Sequence, residues 1–286
     1  MSRIGAHVFI WTSGSLDEKL KSFSRAKEIG FDGVEVSIED TSIGFEQVKR
    51  ARKELERVGL ECTCGTGLGK SENLIDEDEA VRERGKQHLR RAIGICSDLG
   101  SHILSGVLYG AFQMSKGRER TQKEWDLAVT LLREAAEFAE DKGVTLCIES
   151  VNRYETYFLN TAEDALRLVR HIGKDNVKVH FDTYHMNIEE KEFYAPIVNS
   201  RGYLGHVHIS ENDRGIPGTG HVNWDQVFRA LSEIDYKGWL VIEGFYGYIK
   251  ELAIAASIWR KLAKDPEDFA VQGLKFVREK AKEYGL

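Results

Sequence analysis

The sequence predicts an α/β protein folded as a single (β/α)8 TIM barrel. Apolar runs with strand character alternate with segments of helical periodicity, this alternation repeats eight times, and no Gly-rich phosphate-binding turn follows the first strand. A TIM barrel closes with eight strands, each followed by a helix, and the sequence contains eight such units. A doubly wound sheet of roughly six or seven strands is the rival architecture, and it often carries the missing turn.

The first unit is defined most clearly. Residues 3–11 are strand-like, residues 16–29 form an amphipathic helix, and Gly30 is placed to end that helix in the left-handed conformation. The next three units pair strands 33–37, 60–65 and 102–108 with helices 45–58, 76–99 and 122–142. The second half pairs strands 144–150, 177–181, 204–209 and 239–243 with helices 162–172, 188–199, 224–234 and a last helix that ends near Tyr284.

Composition indicates one catalytic domain that covers residues 1–286. The chain is 42% hydrophobic and 30% charged, and no Pro- or Ser-rich linker divides it. A formal net charge of −6 gives no basic footprint for a nucleic acid partner. The sequence shows neither a signal peptide nor a membrane span, so we expect a cytoplasmic protein with no membrane partner. The four cysteines lack the spacing of a zinc site and are expected to be structural.

Ligand-type side chains stand at the ends of the last four strands, where barrel enzymes carry their reacting groups. These residues are Glu149, Asp182, His208 and Glu243. A carboxylate directly after Leu-Cys-Ile or Leu-Val-Ile lies at the edge of a core and must be paired or bound to metal. Each residue alone is also compatible with a structural ion pair. Three carboxylates and one imidazole at consecutive strand ends favour a shared site for Mn²⁺, Mg²⁺ or Co²⁺.

Further polar and aromatic groups fall near these strand ends, where substrate contacts belong. The polar loop residues are Asn152, Arg153, Glu155, His185 and Arg214, and the aromatic or imidazole residues are His7, Phe9, Trp11, Tyr109 and Phe112. An aromatic wall beside a polar floor suits a sugar, and Trp11 is placed to cap the pocket. His180 and His206 are expected one layer deeper as core imidazoles, and His88 is expected on the surface of a helix.

Five motifs occur in order over nearly the whole chain: IGAHVFIW, IESVNRYE, VKVHFDTYHMNIEE, GHVHISENDRGIPGTGHVNW and VIEGF. This pattern resembles the ketose 3-epimerases, a group that includes D-tagatose, D-psicose (allulose) and L-ribulose 3-epimerases, within the xylose isomerase-like barrels. The resemblance implies a free ketose as substrate, a divalent metal, most commonly Mn²⁺, and a homodimer or homotetramer.

The resemblance also implies roles for individual residues. The four strand-end residues match the metal ligands, and Glu149 and Glu243 match the acid/base pair as well. Glu155, His185 and Arg214 match the residues that hold the C1 to C3 oxygens of the sugar. The position of His7 is commonly Tyr or Phe in the tagatose and allulose enzymes, whereas IGxHxFxW is closer to the L-ribulose branch, so the preferred sugar stays open.

The residues are consistent with inversion at C3, in which one glutamate removes the C3 proton and the other returns a proton to the opposite face. A related sugar isomerase, which moves a proton between C1 and C2, and an inosose dehydratase-like lyase are alternatives on the same barrel and metal. An endonuclease IV-like DNA repair enzyme is a remote alternative, because it would need further His ligands from the earlier strands.

Overall fold

The computed structural model describes residues 2–247 and 249–286, and its eight parallel strands close into a barrel in chain order. The strands are β1 (Arg3–His7), β2 (Gly33–Ser37), β3 (Glu61–Gly65), β4 (Ile103–Gly106), β5 (Thr145–Glu149), β6 (Val177–Asp182), β7 (Leu204–Ile209) and β8 (Trp239–Ile242). Pairing of β1 with β8 closes the ring, with Ile4 beside Leu240. The predicted (β/α)8 barrel is confirmed.

Helices cover the outside of this barrel. They are α1 (Leu16–Ile29), α2 (Phe45–Val58), α3 (Glu79–Asp98), α4 (Gln122–Asp141), α5 (Ala162–Ile172), α6 (Thr183–Glu189), α7 (Tyr194–Asn199), α8 (Trp224–Glu233), α9 (Lys250–Ala256) and α10 (Pro266–Tyr284). Local sequence fixes their ends: Ser15 and Glu18 form a capping box at the start of α1, and Gly30 ends it with φ 110°.

The segment after β6 differs from the single helix 188–199 that the sequence predicts. The side chain of Asp182 accepts a hydrogen bond from the backbone N–H of Tyr184, so α6 begins directly after the strand. A second helix, α7, begins at Tyr194 and holds Pro196 in its first turn. Proline has no backbone N–H and is tolerated in the first turn of a helix but not in its interior, which explains the division.

Strand β1 is also shorter than the predicted 3–11. It ends at His7, and Val8–Ile10 form a 3₁₀ turn. The His7 side chain accepts a hydrogen bond from the backbone N–H of Phe9 at 3.1 Å, which caps that turn. The alternation of side chains that would place residues 7, 9 and 11 on one face therefore stops at His7.

The core lies between the barrel wall and the helices, where large side chains such as Phe23, Leu132, Phe228 and Phe269 are fully buried. All four cysteines are free and buried, as expected of structural thiols. Within the part of the chain that the structure describes, no helix is both long and apolar enough to cross a membrane.

Candidate active site

The four strand-end residues meet at one mouth of the barrel. Glu149, Asp182 and His208 can each offer a ligand atom within 4.8 Å of the others. His208 Nδ1 lies 3.3 Å from Glu243 Oε2 and 3.8 Å from Asp182 Oδ2. Asp182 is fully buried, and the other three side chains are no more than about an eighth exposed. The structure therefore groups Glu149, Asp182 and His208 as possible ligands of one ion and places Glu243 beside His208.

The chemistry of this set fits a divalent cation. His208 Nδ1 is buried and makes no hydrogen bond of acceptable geometry within the described residues. Its other ring nitrogen, Nε2, lies 2.9 Å from Glu35 Oε1. A histidine that binds a carboxylate through one nitrogen and turns the other toward further ligands is typical of metal sites. Carboxylate oxygens with one imidazole suit the harder divalent metals.

Arg214 supplies positive charge beside these carboxylates. Its Nη1 donates to Asp182 Oδ2 at 2.5 Å and to Glu243 Oε2 at 2.6 Å, and its guanidinium stacks 4.1 Å from the centre of the Tyr184 ring. Burial alone would raise the pKa of Asp182 and of Glu243, but Arg214 and His208 hold both pKa values below their usual range.

Glu149 has the opposite environment. Burial raises its pKa well above the usual range, and the negative charges of Asp182 and Glu243 act in the same direction, against the opposing effect of His208. Two carboxylates whose pKa values are pushed apart are a common arrangement for proton transfer in enzymes. A bound cation would favour the ionised form of Glu149.

His185 sits beside Glu149 in a fixed orientation. Its Nδ1 accepts a hydrogen bond from the backbone N–H of Asn152 at 3.2 Å, and Nη2 of Arg214, which can only donate, lies 3.2 Å from His185 Nε2. That nitrogen lies 3.6 Å from Glu149 Oε1 and 3.8 Å from Glu155 Oε2. Burial lowers the pKa of His185. Asn152 also donates to Glu155 at 2.9 Å.

A cavity of about 870 Å³ opens from the strand-end residues toward the segments that follow β1, β2, β3 and β4 at the mouth of the barrel. Its lining includes His7, Phe9 and Phe112 as well as Glu149, His208 and Glu243. The His7 Nδ1 is used by the backbone of Phe9, and its Nε2 lies 3.8 Å from Glu35 Oε1 and 4.0 Å from Glu243 Oε1. Burial lowers the pKa of His7 as well.

The structure does not bring every predicted site residue to this cavity. Among the described residues, the lining of the cavity does not include four of the predicted site residues: Trp11, Glu155, His185 and Arg214. Glu155, His185 and Arg214 lie on the opposite side of the carboxylate cluster, in contact with it or with one another. Trp11 follows the 3₁₀ turn that ends β1, so the chain has left the inner face of the barrel before it reaches the indole.

The expectations for the other histidines have mixed outcomes. His180 and His206 are fully buried below the cluster, as the sequence predicts. His88 is also buried, contrary to its predicted place on the surface. Its Nε2 lies 2.9 Å from Thr66 Oγ1 and its Nδ1 lies 3.2 Å from Glu72 Oε1, because this face of α3 packs on the loop after β3.

Sequence reasoning missed one buried charged residue of the site, Glu35. It occupies the middle of β2, with 1% of its surface exposed, and its carboxylate reaches His206 and His208 on β7. Burial acts to raise its pKa, but the two imidazoles hold that pKa well below its usual range. The available signal was a glutamate inside the otherwise apolar strand GVEVS.

Comparison with known proteins gives matches over nearly the whole length. The family model of the xylose isomerase-like TIM barrel matches residues 23–280. The chain is 36% identical to a ketose 3-epimerase of Arthrobacter globiformis over 97% of this chain and 96% of that protein. It is 33% identical to L-ribulose 3-epimerase of Mesorhizobium japonicum over 98% of this chain and 97% of that protein.

Solved structures give the same result. The crystal structure of D-allulose 3-epimerase from Methylomonas sp. in complex with D-allulose is similar with a TM-score of 0.92 and 31% identity, covering 98% of this chain and 97% of that chain. A structure of L-ribulose 3-epimerase is similar with a TM-score of 0.93 and 32% identity, covering 100% of this chain and 96% of that chain.

Proposed function

Because this chain belongs to the ketose 3-epimerases of the xylose isomerase-like TIM barrel family, we propose that it inverts C3 of a free ketose such as D-tagatose, D-allulose, D-fructose or L-ribulose. The observation that carries the proposal is the pair of glutamates at one mouth of the barrel, Glu149, which is buried, and Glu243, whose side chain is 12% exposed. Residues 1–286 would act as one catalytic domain.

Four residues would hold the divalent metal, which we propose to be Mn²⁺, with Co²⁺ or Mg²⁺ as substitutes: Glu149, Asp182, His208 and Glu243. When bound, such a metal polarises the C2 carbonyl and C3 hydroxyl oxygens and so acidifies the C3 proton. The Nδ1 of His208, which makes no hydrogen bond among the residues that the structure describes, and the carboxylates around it support this assignment.

Glu149 and Glu243 would move the protons. Strands β5 and β8 stand three places apart in the ring of eight, so the two carboxylates approach a central substrate from different sides of the barrel. One group begins as a carboxylate, removes the C3 proton and leaves a planar enediolate, and the other begins as a carboxylic acid and gives its proton to the opposite face. The roles exchange in the reverse direction, which gives a reversible epimerase.

The remaining groups would hold the sugar. The Nε2 of His185 and the guanidinium of Arg214 lie beside the cluster, and with Glu155 these groups would bind the C1 to C3 oxygens. His7 and Phe112 line the cavity where the rest of the chain of the sugar would extend. A neutral imidazole donor beside apolar rings suits hydroxyl edges and C–H faces.

The test is a substrate panel on protein stripped of metal and then supplied with Mn²⁺, Co²⁺ or Mg²⁺. D-tagatose, D-allulose, D-fructose and L-ribulose are incubated separately, and products are identified by NMR. We expect the C3 epimer of at least one ketose, only with metal present. An aldose product would instead indicate a C1–C2 isomerase, loss of water would indicate a lyase, and nicking of abasic DNA would indicate a repair enzyme.

We also propose that the enzyme works in the cytoplasm as a homodimer or homotetramer, without a nucleic acid or membrane partner. The oligomeric state is the one that the resemblance to the ketose 3-epimerases implies, and the net charge of −6 supports the lack of a nucleic acid partner. Light scattering of the purified protein distinguishes the dimer, the tetramer and a monomer, and the monomer would contradict the proposal.

A further inference from the structure

The Glu35 carboxylate lies between two histidines inside the barrel. Its Oε2 lies 2.5 Å from His206 Nε2, and its Oε1 lies 2.9 Å from His208 Nε2. Thr63, its neighbour on β3, donates its hydroxyl to Oε2 at 2.9 Å. Ser105 on β4 adds a longer bond of 3.4 Å to Oε1. Both oxygens of Glu35 are therefore already bound by groups of this chain.

These bonds determine which nitrogen of His208 is available. A carboxylate only accepts hydrogen bonds, so His208 must carry a proton on Nε2 where it meets Glu35. Nδ1 is the remaining nitrogen, and it faces Asp182 and Glu243 at 3.8 and 3.3 Å. Rotation of the ring about its χ2 bond would break the contact with Glu35 and turn Nδ1 away from the carboxylates.

We propose that Glu35 is a positioning residue for the metal: it fixes the ring orientation of His208 and the proton on Nε2, so that Nδ1 is presented as a ligand. The inference rests on the proposed metal-dependent function. Glu35 is not itself placed as a ligand, because His206 and His208 occupy its two oxygens. Outer carboxylates of this kind raise metal affinity by orienting the histidine and increasing its basicity.

The test variant is Glu35→Gln. Its amide has the same shape as the carboxylate, but it can accept a hydrogen bond only through its oxygen, so one of the two imidazoles loses its acceptor. The matched control is Thr63→Val, which removes a hydrogen bond to Glu35 and leaves both imidazole contacts in place. Mn²⁺ is titrated calorimetrically into the metal-free protein, and urea unfolding without metal measures stability separately.

We expect Glu35→Gln to bind Mn²⁺ about 10–100-fold more weakly than the wild type. Thr63→Val should stay within about threefold, since it leaves the imidazole contacts untouched. At saturating Mn²⁺ the KM for the ketose should stay within about threefold, because Glu35 is only 1% exposed and both of its oxygens are held by histidines. A folded Glu35→Gln protein with wild-type Mn²⁺ affinity would overturn the inference.

A second variant covers the case in which Glu35→Gln does not fold. Glu35→Asp keeps the charge but withdraws the carboxylate by one methylene, so it cannot reach both His206 and His208. It should also bind Mn²⁺ more weakly, and wild-type affinity would overturn the inference equally. If the wild type itself binds no divalent metal, the proposed function fails; if the wild type binds metal and epimerises a ketose while both variants bind normally, this inference alone fails.

Discussion

Replacing Arg214 by methionine should destabilise the metal-free protein, because two buried carboxylates then lose the cation they share. Arg214 Nη1 contacts Asp182 at 2.5 Å and Glu243 at 2.6 Å. Its backbone has φ 64°, and methionine meets the same strain there, so the comparison isolates the side chain. The loss of charge is therefore the main consequence of the substitution.

The size of the effect follows from the burial of this pair. Removing one partner of a buried ion pair costs about 3–5 kcal/mol. His208 remains beside both carboxylates. Burial acts to lower the pKa of His208, but Glu35 and Glu243 raise that pKa above its usual range. A positive charge on His208 therefore offsets part of the loss of the Arg214 charge. We therefore expect the lower end of the range. In a chain of this size that corresponds to a fall in Tm of roughly 5 °C.

The assay is calorimetric unfolding of wild type and Arg214→Met, in EDTA and in excess Mn²⁺. Mn²⁺ should raise the Tm of the variant more than that of the wild type, because the metal would replace the missing positive charge. Arg260→Met is the matched control, since Arg260 is largely exposed and pairs only with Asp213 among the described residues, and it should melt with the wild type. Equal melting of Arg214→Met and wild type in EDTA would refute the reasoning.

Three further predictions concern specificity and stability. His7→Phe removes the imidazole nitrogens of a residue that lines the cavity. The ratio of kcat/KM for L-ribulose to kcat/KM for D-tagatose should therefore change by about tenfold. An unchanged ratio in a competition assay would contradict a contact between His7 and the sugar. D-fructose 6-phosphate should be turned over at least about tenfold less efficiently than D-fructose. Lys19 is the one lysine among the described residues that line the cavity, and it is already paired with Glu39 at 2.6 Å. Equal efficiencies would show that the cavity accepts the phosphate. Glu124→Gln should lower the free energy of unfolding at pH 7 by about 1–2 kcal/mol. Burial acts to raise the pKa of Glu124, but hydrogen bonds, the largest of them from Arg118, hold that pKa well below its usual range. Urea unfolding should show the deficit shrinking as the pH falls below about 4.5, and a deficit independent of pH would contradict a stabilising role of the Glu124 charge.

The barrel and the meeting of the strand-end residues at one mouth could be predicted because both depend on short-range patterns. Strand periodicity locates the end of each strand, and the barrel places those ends at one mouth. Glu149 and Asp182 are the last residues of β5 and β6, as the pattern indicates. Glu243 follows β8 by one residue, which does not change its place at the mouth.

The remaining features depend on contacts between distant parts of the chain. Glu35 reaches from β2 to His206 and His208, which lie 171 and 173 residues away, and no local pattern encodes such a contact. Arg214 could be identified as a loop cation, but its contact with Asp182 and Glu243 depends on how the loop after β7 folds back over the mouth. The end of β1 was mispredicted because the apolar pattern continues through the 3₁₀ turn.

The two-base mechanism is tested most directly by hydrogen exchange at C3 of the sugar in D₂O, with saturating Mn²⁺. Glu149→Gln and Glu243→Gln are each incubated with either C3 epimer, and deuterium at C3 is measured by NMR. Epimerisation should fall at least about 100-fold in both variants. Each variant should still exchange the C3 proton of one epimer, and the two variants should act on opposite epimers. Exchange of both epimers by one variant, or near-normal epimerisation in either, would contradict the assignment of one glutamate to each face.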